Sequence, residues 1–304
     1  MADFIEQLRD IVGDKGLVLH EDLQNRAAGY RHPDKTLEAR VLVRPASTDE
    51  VSKVLKLCND AGQAVVSHGG LTGLVDGNIA GADELILSME RMREIEEIDP
   101  ASSSMTVQAG VTLQTVQEAA EDAGFFFPLD LGGRGSATLG GNISTNAGGN
   151  RVVRYGMARD MVLGLEAVQA DGTVLSPLGK IVKDNAGYNL KHLFIGSEGT
   201  LGVVTRLVLR LRPRPASQQT AYLALDEFDK LPELLNFCNS RSGGCLSAFE
   251  VMWRDYFELV LSTPGAAQPL PADYPYYVLM EVMGGDAEGD GDRFEAMLAE
   301  AMEQ

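Results

Sequence analysis

Hydrophobic residues recur in short blocks along the chain, and their spacing predicts alternating helices and strands. Ser47 and Glu50 form a capping box that opens an amphipathic helix, and Gly62 is predicted to end that helix. The apolar block Ala64–Val66 that follows predicts a buried strand. Alternating apolar residues from Val203 onward predict a half-buried strand that ends at Pro213. Hairpins are predicted around Asp99–Pro100 and across Asp171–Gly172. Residues 14–40 are mixed and polar, without a clear period. Helices and strands therefore both contribute, which predicts an α+β protein.

Glycine-rich segments interrupt this pattern at residues 67–78, 128–156 and 195–202. Glycine frees the backbone to adopt positive φ and to pass close to a ligand, and successive N–H groups in such turns can converge on an anion. Long structureless loops are uncommon in compact domains. The segments therefore predict a large phosphate-bearing cofactor lying along residues 128–156, with a flexible surface loop as the alternative. The first segment is neither a dinucleotide fingerprint nor a P-loop.

A domain boundary is predicted at Pro213–Pro215, because two prolines there end the strand pattern. The part that follows is more acidic than the first and shows three strand patterns and three helix patterns, typical of a small α+β unit. We therefore predict two domains, residues 1–215 and 216–304.

The formal net charge of −18 argues against nucleic acid as a partner. Cys58, Cys238 and Cys245 are scattered, which fits reduced thiols rather than a disulfide framework. The N-terminus lacks the apolar centre of a signal peptide, and no apolar run approaches the roughly 18 residues of a membrane span. We therefore expect a cytoplasmic protein that is not an integral membrane protein.

Four segments, in this order, resemble the FAD-linked oxidase and dehydrogenase family with the vanillyl-alcohol-oxidase type of FAD domain. They are GGLTGLVDG (69–77), PLDLGGRGSATLGGNISTNAGGNRVVRYG (128–156), KDNAGYNLKHLFIGSEGTLGVVT (183–205) and SAFEVM (247–252). The resemblance is strongest to the D-2-hydroxy-acid dehydrogenase branch. It implies a PCMH-type FAD-binding domain of two α/β subdomains, followed by a partial α+β substrate-cap domain.

The resemblance also implies a site for FAD. The first glycine-rich loop would hold the pyrophosphate, the middle segment would line the flavin, and the third segment would present backbone to the cofactor. Relatives with covalent flavin in the first loop carry a histidine where Leu71 stands, so non-covalent FAD is expected. The implied cofactor-binding residues are Gly69, Gly70, Leu71, Thr72, Gly73, Leu74, Pro128, Leu129, Gly140, Gly141, Asn142, Thr145, Asn146, Gly148, Gly202 and Val203.

The activity implied by the resemblance is oxidation of a D-2-hydroxy acid to the 2-oxo acid by hydride transfer to flavin N5. D-2-hydroxyglutarate is the favoured substrate, with D-lactate or glycolate as alternatives, and a quinone or an electron-transfer flavoprotein would accept the electrons. A non-catalytic FAD-binding fragment or subunit that needs a partner for its metal site is a second interpretation. A nucleotide-sugar enzyme on the same scaffold is a third, against which the acidic cap argues.

The chain also departs from the family pattern. Hydroxy-acid dehydrogenases of this branch continue well beyond this length, and their later half carries a divalent-metal site of His and Glu ligands. No pair of histidines here has metal-ligand spacing, so the metal ligands and the catalytic base stay unassigned. Glu198 is predicted to support its loop rather than to act as the base. The oligomeric state is left open, with a homodimer among the options.

Overall fold

The computed structural model describes residues 2–303 and has the predicted mixture of helices and strands. The α-helices are α1 (Ala2–Val12), α2 (His20–Leu23), α3 (Thr48–Ala61), α4 (Leu113–Asp122), α5 (Leu139–Ser144), α6 (Val152–Tyr155), α7 (Lys191–Phe194), α8 (Lys230–Arg241), α9 (Arg254–Leu261) and α10 (Asp290–Met302). The strands are β1 (Leu17–Leu19), β2 (Val41–Val43), β3 (Val65–His68), β4 (Leu85–Ser88), β5 (Ile95–Asp99), β6 (Ser104–Gln108), β7 (Phe125–Phe126), β8 (Val162–Val168), β9 (Val174–Leu175), β10 (Val203–Arg210), β11 (Arg212–Pro213), β12 (Ser217–Leu225), β13 (Leu246–Trp253) and β14 (Tyr276–Gly284).

The chain divides into two compact units. The first contains residues 1–127, 131–147 and 157–212, and the second contains residues 128–130, 148–156 and 213–304. The glycine-rich middle segment is thus shared between the units in sequence. The domain limits predicted above, 1–215 and 216–304, stay a prediction. The sequence did not indicate that residues 128–130 and 148–156 belong to the second unit.

The first unit begins with a sheet whose strand order is β1–β2–β4–β3. β2 and β3 run parallel to β4, and β1 is antiparallel to β2. Every residue of β4 is buried, as expected for a central strand. The α3 crossover forms as predicted, because Ser47 Oγ accepts a hydrogen bond from the Glu50 N–H and Gly62 adopts the left-handed conformation that ends the helix.

A second sheet of the first unit is antiparallel, with the strand order β5–β6–β10–β8–β9. The hairpins predicted around residues 99–100 and 171–172 are confirmed as β5–β6 and β8–β9. The central strand β10 is buried at almost every position, not half-buried as its alternation predicted. Arg206 and Arg210 are its partly exposed residues, so both faces of this strand are largely covered.

Glu166 on β8 connects this sheet to the start of α3. Its carboxylate accepts hydrogen bonds from Thr48 Oγ1 at 2.6 Å, Ser176 Oγ at 2.7 Å and Thr205 Oγ1 at 2.9 Å. Burial would raise the pKa of this carboxyl, but the hydroxyl donors and Arg206 outweigh burial and lower it. Glu166 is therefore a buried ionised carboxylate with hydrogen-bond partners, as buried charges require.

The second unit is built on the antiparallel sheet β12–β14–β13. Helices α8 and α10 contribute to its apolar core, with Leu231 and Cys238 from α8 and Phe294 and Met297 from α10 packing with residues of β13 and β14. The three strands and three helices predicted beyond the proline boundary are all present, so this unit has the expected α+β architecture.

Candidate cofactor site

The first and middle glycine-rich segments meet in the first unit. A Cβ placed on Gly69 would lie 2.6 Å from Thr138 Oγ1 and 3.3 Å from the Gly141 Cα. A Cβ placed on Gly70 would lie 1.9 Å from the Ser136 carbonyl oxygen. Real Cβ atoms do not approach other atoms so closely, so each position requires glycine. The loop after β3 therefore packs directly on the backbone just before α5 and in its first turn.

The third glycine-rich segment joins the same region. The Gly196 N–H donates to the Ile143 carbonyl at 3.1 Å, and the Glu198 N–H donates to the Ser144 carbonyl at 2.9 Å. A Cβ on Gly199 would lie 2.6 Å from Ser67 Oγ. The Glu198 backbone thus ties the third segment to the end of α5, and the supporting role of its side chain stays a prediction. Three segments that are far apart in sequence converge on one region, as a single extended cofactor requires.

Two other glycines of the predicted cofactor set pack closely against protein atoms. A Cβ on Gly140 would lie 2.7 Å from the Ala109 Cβ, and one on Gly202 would lie 2.8 Å from the Val168 carbonyl oxygen. The fold itself therefore requires glycine at these two positions, and their predicted role at the cofactor stays a prediction. At these positions glycine allows backbone to pack on backbone, which shapes the region around α5.

One buried polar atom in this region has no protein partner. Asn142 is 5% exposed, and its Nδ2 donates no hydrogen bond to any group within residues 2–303. An unsatisfied buried donor costs about 1–3 kcal/mol. Asn142 is one of the residues implied to line the flavin, and a cofactor oxygen or ring nitrogen would satisfy the amide. The donor set of this region therefore fits a bound FAD.

Leu71 and Asn146 both adopt left-handed backbone conformations, with φ of 55° and 49°. Such values are uncommon for residues other than glycine and asparagine. The Asn146 side chain makes a stabilising hydrogen bond in this conformation, because Oδ1 accepts the Arg159 N–H at 3.0 Å. Leucine at 71 has no such compensation from its side chain, so its left-handed backbone conformation carries a conformational cost.

The variant Leu71→Asn is therefore expected to raise the free energy of unfolding by about 1 kcal/mol, because asparagine tolerates the left-handed region that leucine disfavours. Urea unfolding followed by far-UV circular dichroism measures the difference. Leu74→Asn is the matched control, since Leu74 lies in the same loop, is 64% exposed and does not adopt a positive φ. Equal stabilities of Leu71→Asn and wild-type protein would contradict the prediction.

A cavity of about 340 Å³ lies beside the first loop and is lined in part by Gly69 and Leu71. His68 also lines it; this side chain is 3% exposed and Nε2 lies 2.7 Å from the Asn78 carbonyl oxygen. Burial, as the largest effect, lowers the pKa of His68. A neutral His68 that donates to the Asn78 carbonyl fixes the loop, so its role is to shape the cavity.

The charged groups of this cavity form a network that the sequence did not reveal. Arg26 binds Glu90 through two hydrogen bonds, at 2.8 and 2.9 Å, and Arg44 Nη1 donates to Glu90 Oε1 at 3.0 Å. Burial would raise the pKa of Glu90, but the hydrogen bonds and charges of the two arginines lower it to about 2. The cavity wall is therefore polar and ionised at neutral pH. No motif links Arg26 to Glu90, so sequence patterns could not have found them.

The predicted cofactor residues are divided between the units. Those that belong to the first unit are Gly69, Gly70, Leu71, Thr72, Gly73, Leu74, Gly140, Gly141, Asn142, Thr145, Asn146, Gly202 and Val203. Pro128, Leu129 and Gly148 belong to the second unit; Pro128 and Leu129 are buried and Gly148 is exposed. Within the part of the chain that the structure describes, no group of three His, Cys, Asp or Glu residues could hold a metal ion.

Two family models match the chain. One, described as FAD binding domain, matches residues 39–176, and the other, described as FAD linked oxidases, C-terminal domain, matches residues 214–304. The chain belongs to the FAD-linked oxidase family. It therefore contains an FAD-binding domain, and the α+β fold and the FAD cofactor implied by the sequence resemblance are confirmed.

Curated relatives are similar over nearly the whole chain. A protein of Oryza sativa subsp. indica named "Probable D-2-hydroxyglutarate dehydrogenase, mitochondrial" is 42% identical over 99% of this chain and 54% of its own length. The D-2-hydroxyglutarate dehydrogenase of Arabidopsis thaliana is 38% identical over 99% of this chain and 54% of its own length, and that of Bos taurus is 41% identical over 87% and 48%. The chain spans about half the length of these relatives.

Solved structures of more distant proteins share the fold. An alkyldihydroxyacetonephosphate synthase superposes with a TM-score of 0.80 at 18% identity, covering 99% of this chain and 61% of that chain. A p-cresol methylhydroxylase superposes with a TM-score of 0.74 at 16% identity, covering 99% of this chain and 64% of that chain. At these identities the likeness is one of architecture alone.

The cytoplasmic location expected from the sequence is wrong, because the relatives that cover most of the chain are named as mitochondrial proteins. Unpaired cysteines argue only against a disulfide framework, and they do not separate the cytosol from the interior of an organelle. Burial raises the pKa of the Cys58 thiol to about 12 and that of Cys238 to about 11, as expected for thiols packed in a core. Across residues 2–303, no helix combines the length and apolarity of a membrane span.

Proposed function

We propose that the chain forms the FAD-binding domain and part of the substrate cap of a dehydrogenase that oxidises D-2-hydroxyglutarate to its 2-oxo acid. The observation that carries the proposal is about 40% identity, over most of the chain, to proteins named as D-2-hydroxyglutarate dehydrogenases. Because the chain spans about half of their length, the activity, substrate and electron acceptor are proposed for the whole protein. D-Lactate is the second proposed substrate, since a similar protein of Schizosaccharomyces pombe is named as a putative D-lactate dehydrogenase.

The residues of the first unit would hold FAD through main-chain amides and the Asn142 side chain. The loop around Gly69 and Gly70 would face the pyrophosphate, since exposed backbone N–H groups suit an anion. The donor Asn142 Nδ2 would pair with an acceptor on the cofactor. Leu71 cannot form a covalent link to the ring, so the cofactor would be held non-covalently. When bound, FAD supplies the acceptor for the substrate hydride, and the protein supplies orientation.

A second candidate function is that of a FAD-binding part that depends on another polypeptide segment for its metal site. The specific observation in its favour is that residues 2–303 contain no cluster able to hold a metal ion. Oxidation of an alcohol near neutral pH needs a base or a Lewis acid at the hydroxyl. A polypeptide that lacked both groups at the substrate hydroxyl would bind FAD and leave a hydroxy acid unoxidised until another segment supplied one of them.

An absorption spectrum of the purified chain, followed by anaerobic addition of hydroxy acids, tests both candidates. We expect a flavin spectrum, with bleaching by D-2-hydroxyglutarate faster than by D-lactate or glycolate. A flavin spectrum that none of the three acids bleaches would favour the metal-dependent partial function. Protein that retains no FAD after gel filtration in the presence of excess cofactor would contradict the cofactor assignment itself.

A further inference from the structure

Two short stretches of the chain that belong to the second unit flank the central part of the middle glycine-rich segment. Residues 128–130 and 148–156 belong to the second unit, whereas residues 131–147 between them belong to the first. The intervening stretch contains α5 and the donor Asn142, which the proposed function assigns to the cofactor. Both ends of the proposed flavin-lining stretch are therefore continuous with pieces of the second unit. We call residues 128–130 and 148–156 together the strap.

The strap is attached to the sheet of the second unit by an almost buried ion pair. Arg151 Nε donates to Glu281 Oε1 at 3.0 Å, and Arg151 Nη2 donates to Glu281 Oε2 at 3.3 Å. The two side chains are 14% and 11% exposed. Ser247 Oγ donates to Glu281 Oε1 at 2.7 Å, and Gln218 Nε2 donates to Oε2. Both carboxylate oxygens of Glu281 thus accept hydrogen bonds. Because Glu281 lies on β14, its ion pair holds Arg151 against that strand.

Further contacts hold the rest of the strap. Arg154 Nη1 donates to the carbonyl oxygens of Met283 and, at 3.3 Å, Cys245. The Asn150 N–H donates to the Asp130 carbonyl at 3.2 Å, and a Cβ on Gly149 would lie 2.0 Å from the same carbonyl oxygen. The two pieces of the strap therefore contact each other as well as the sheet, and they form one connected feature.

The ion pair between Arg151 and Glu281 indicates that these residues determine where the strap lies. A buried ion pair adds little net stability compared with apolar residues of similar volume, whereas it demands one particular arrangement of its partners. Apart from the single turn of α6, residues 148–156 form no regular element. Side-chain contacts therefore determine where these residues lie. Arg151 is only a few residues from Gly148, which the family resemblance places at the flavin.

We propose that Arg151 and Glu281 are positioning residues that hold the flavin-lining stretch in register, so that FAD binding and the folding of the second unit are energetically coupled. The inference rests on the proposed function, because it takes residues 139–148 as cofactor-lining. Neither side chain needs to touch FAD. Coupling of this kind is reciprocal, so bound FAD stabilises the second unit and an ordered strap strengthens FAD binding.

The single tryptophan of the chain allows a direct test. Trp253 lies on β13 in the second unit and is 51% exposed, so its fluorescence reports unfolding of that unit. Urea unfolding is followed at Trp253 with and without FAD, and the FAD dissociation constant is measured by titration of flavin fluorescence. For the wild-type chain we expect FAD to raise the urea midpoint of the Trp253 transition.

The double variant Arg151→Met/Glu281→Met removes the charges while keeping the volume, so the second unit is expected to fold. We expect its FAD dissociation constant to rise at least tenfold and the FAD-dependent shift at Trp253 to disappear. The single variant Glu281→Gln keeps the shape of the side chain and removes its charge. Its FAD dissociation constant is expected to lie between those of the wild-type chain and the double variant. The control is Arg241→Met/Glu300→Met, because this ion pair belongs to the same unit but is exposed and outside the strap.

The outcomes separate the inference from the proposed function. If the double variant binds FAD as tightly as the wild-type chain and shows the same shift, the positioning role is wrong while the cofactor assignment stands. If the wild-type chain binds no FAD, both fail. If the exposed-pair control also loses affinity, the effect is not specific to the strap and the inference is again contradicted.

Discussion

Replacement of Gly70 by alanine is expected to weaken FAD binding by this chain roughly 100-fold. The added Cβ would lie 1.9 Å from the Ser136 carbonyl oxygen, 2.8 Å from its carbon and 3.0 Å from the Ala137 Cα. All three neighbours are backbone atoms, so no side-chain rotation can relieve the overlap. The loop would have to separate from the backbone before α5, where the first and middle glycine-rich segments meet. A displacement of this kind costs about 3 kcal/mol, which corresponds to a loss of affinity of roughly 100-fold.

Gly81→Ala is the matched control for this variant. Gly81 lies in the same connection between β3 and β4 but outside the predicted cofactor residues; a Cβ added to it would approach only Glu84 Oε2, at 3.6 Å, and its backbone does not need a positive φ. Equilibrium titration with FAD measures both affinities, and far-UV circular dichroism shows whether each variant retains its secondary structure. Wild-type affinity in Gly70→Ala would show that the contact between the two segments is not required for the cofactor site. Equal losses in both variants would assign the effect to general loosening of the loop.

The sequence predicted the elements whose signals are local. The Ser47 cap, the left-handed Gly62 that ends α3 and the Asp171–Gly172 turn each depend on a few adjacent residues, and each forms as expected. Strand β1 was missed because Leu17–Leu19 is short and stands in a polar stretch without a period. Its strand character comes from antiparallel pairing with β2, which no pattern within residues 14–40 encodes.

The candidate site shows the same division between local and long-range information. Glycine at position 70 was identified from the sequence, yet its partner Ser136 was not, because the requirement for glycine comes from backbone that is distant along the chain. The pairs Arg26–Glu90 and Arg151–Glu281 are separated by 64 and 130 residues. Charged residues of this kind are interpreted from sequence as solvated surface. Only the fold shows that they are partly or almost wholly buried and paired.

Loss of the Glu90 carboxylate is the second large effect that the structure predicts. Glu90 is the shared acceptor of Arg26, Arg44 and Ser88, and its side chain is 25% exposed. The variant Glu90→Gln leaves two partly buried arginines without their counter-charge, and Arg44 Nε already has no partner within the described part of the chain. The pKa of Glu90 falls from 4.5 to about 2 on folding, which corresponds to roughly 3 kcal/mol of stability at neutral pH.

The difference in unfolding free energy between wild-type protein and Glu90→Gln is expected to depend on pH. Because the pKa of Glu90 is lowered in the folded protein, its contribution is fully present above about pH 4.5 and is lost as the pH falls towards 2. Urea unfolding at a series of pH values should therefore show wild-type protein more stable than Glu90→Gln near pH 7, with the gap closing through the acid range. Glu38→Gln, at an exposed position of the same unit, is the control and should show no such gap. A gap that stays constant down to pH 2 would mean that the loss comes from packing, and the ionised network beside the first glycine-rich loop would then not stabilise the cavity wall.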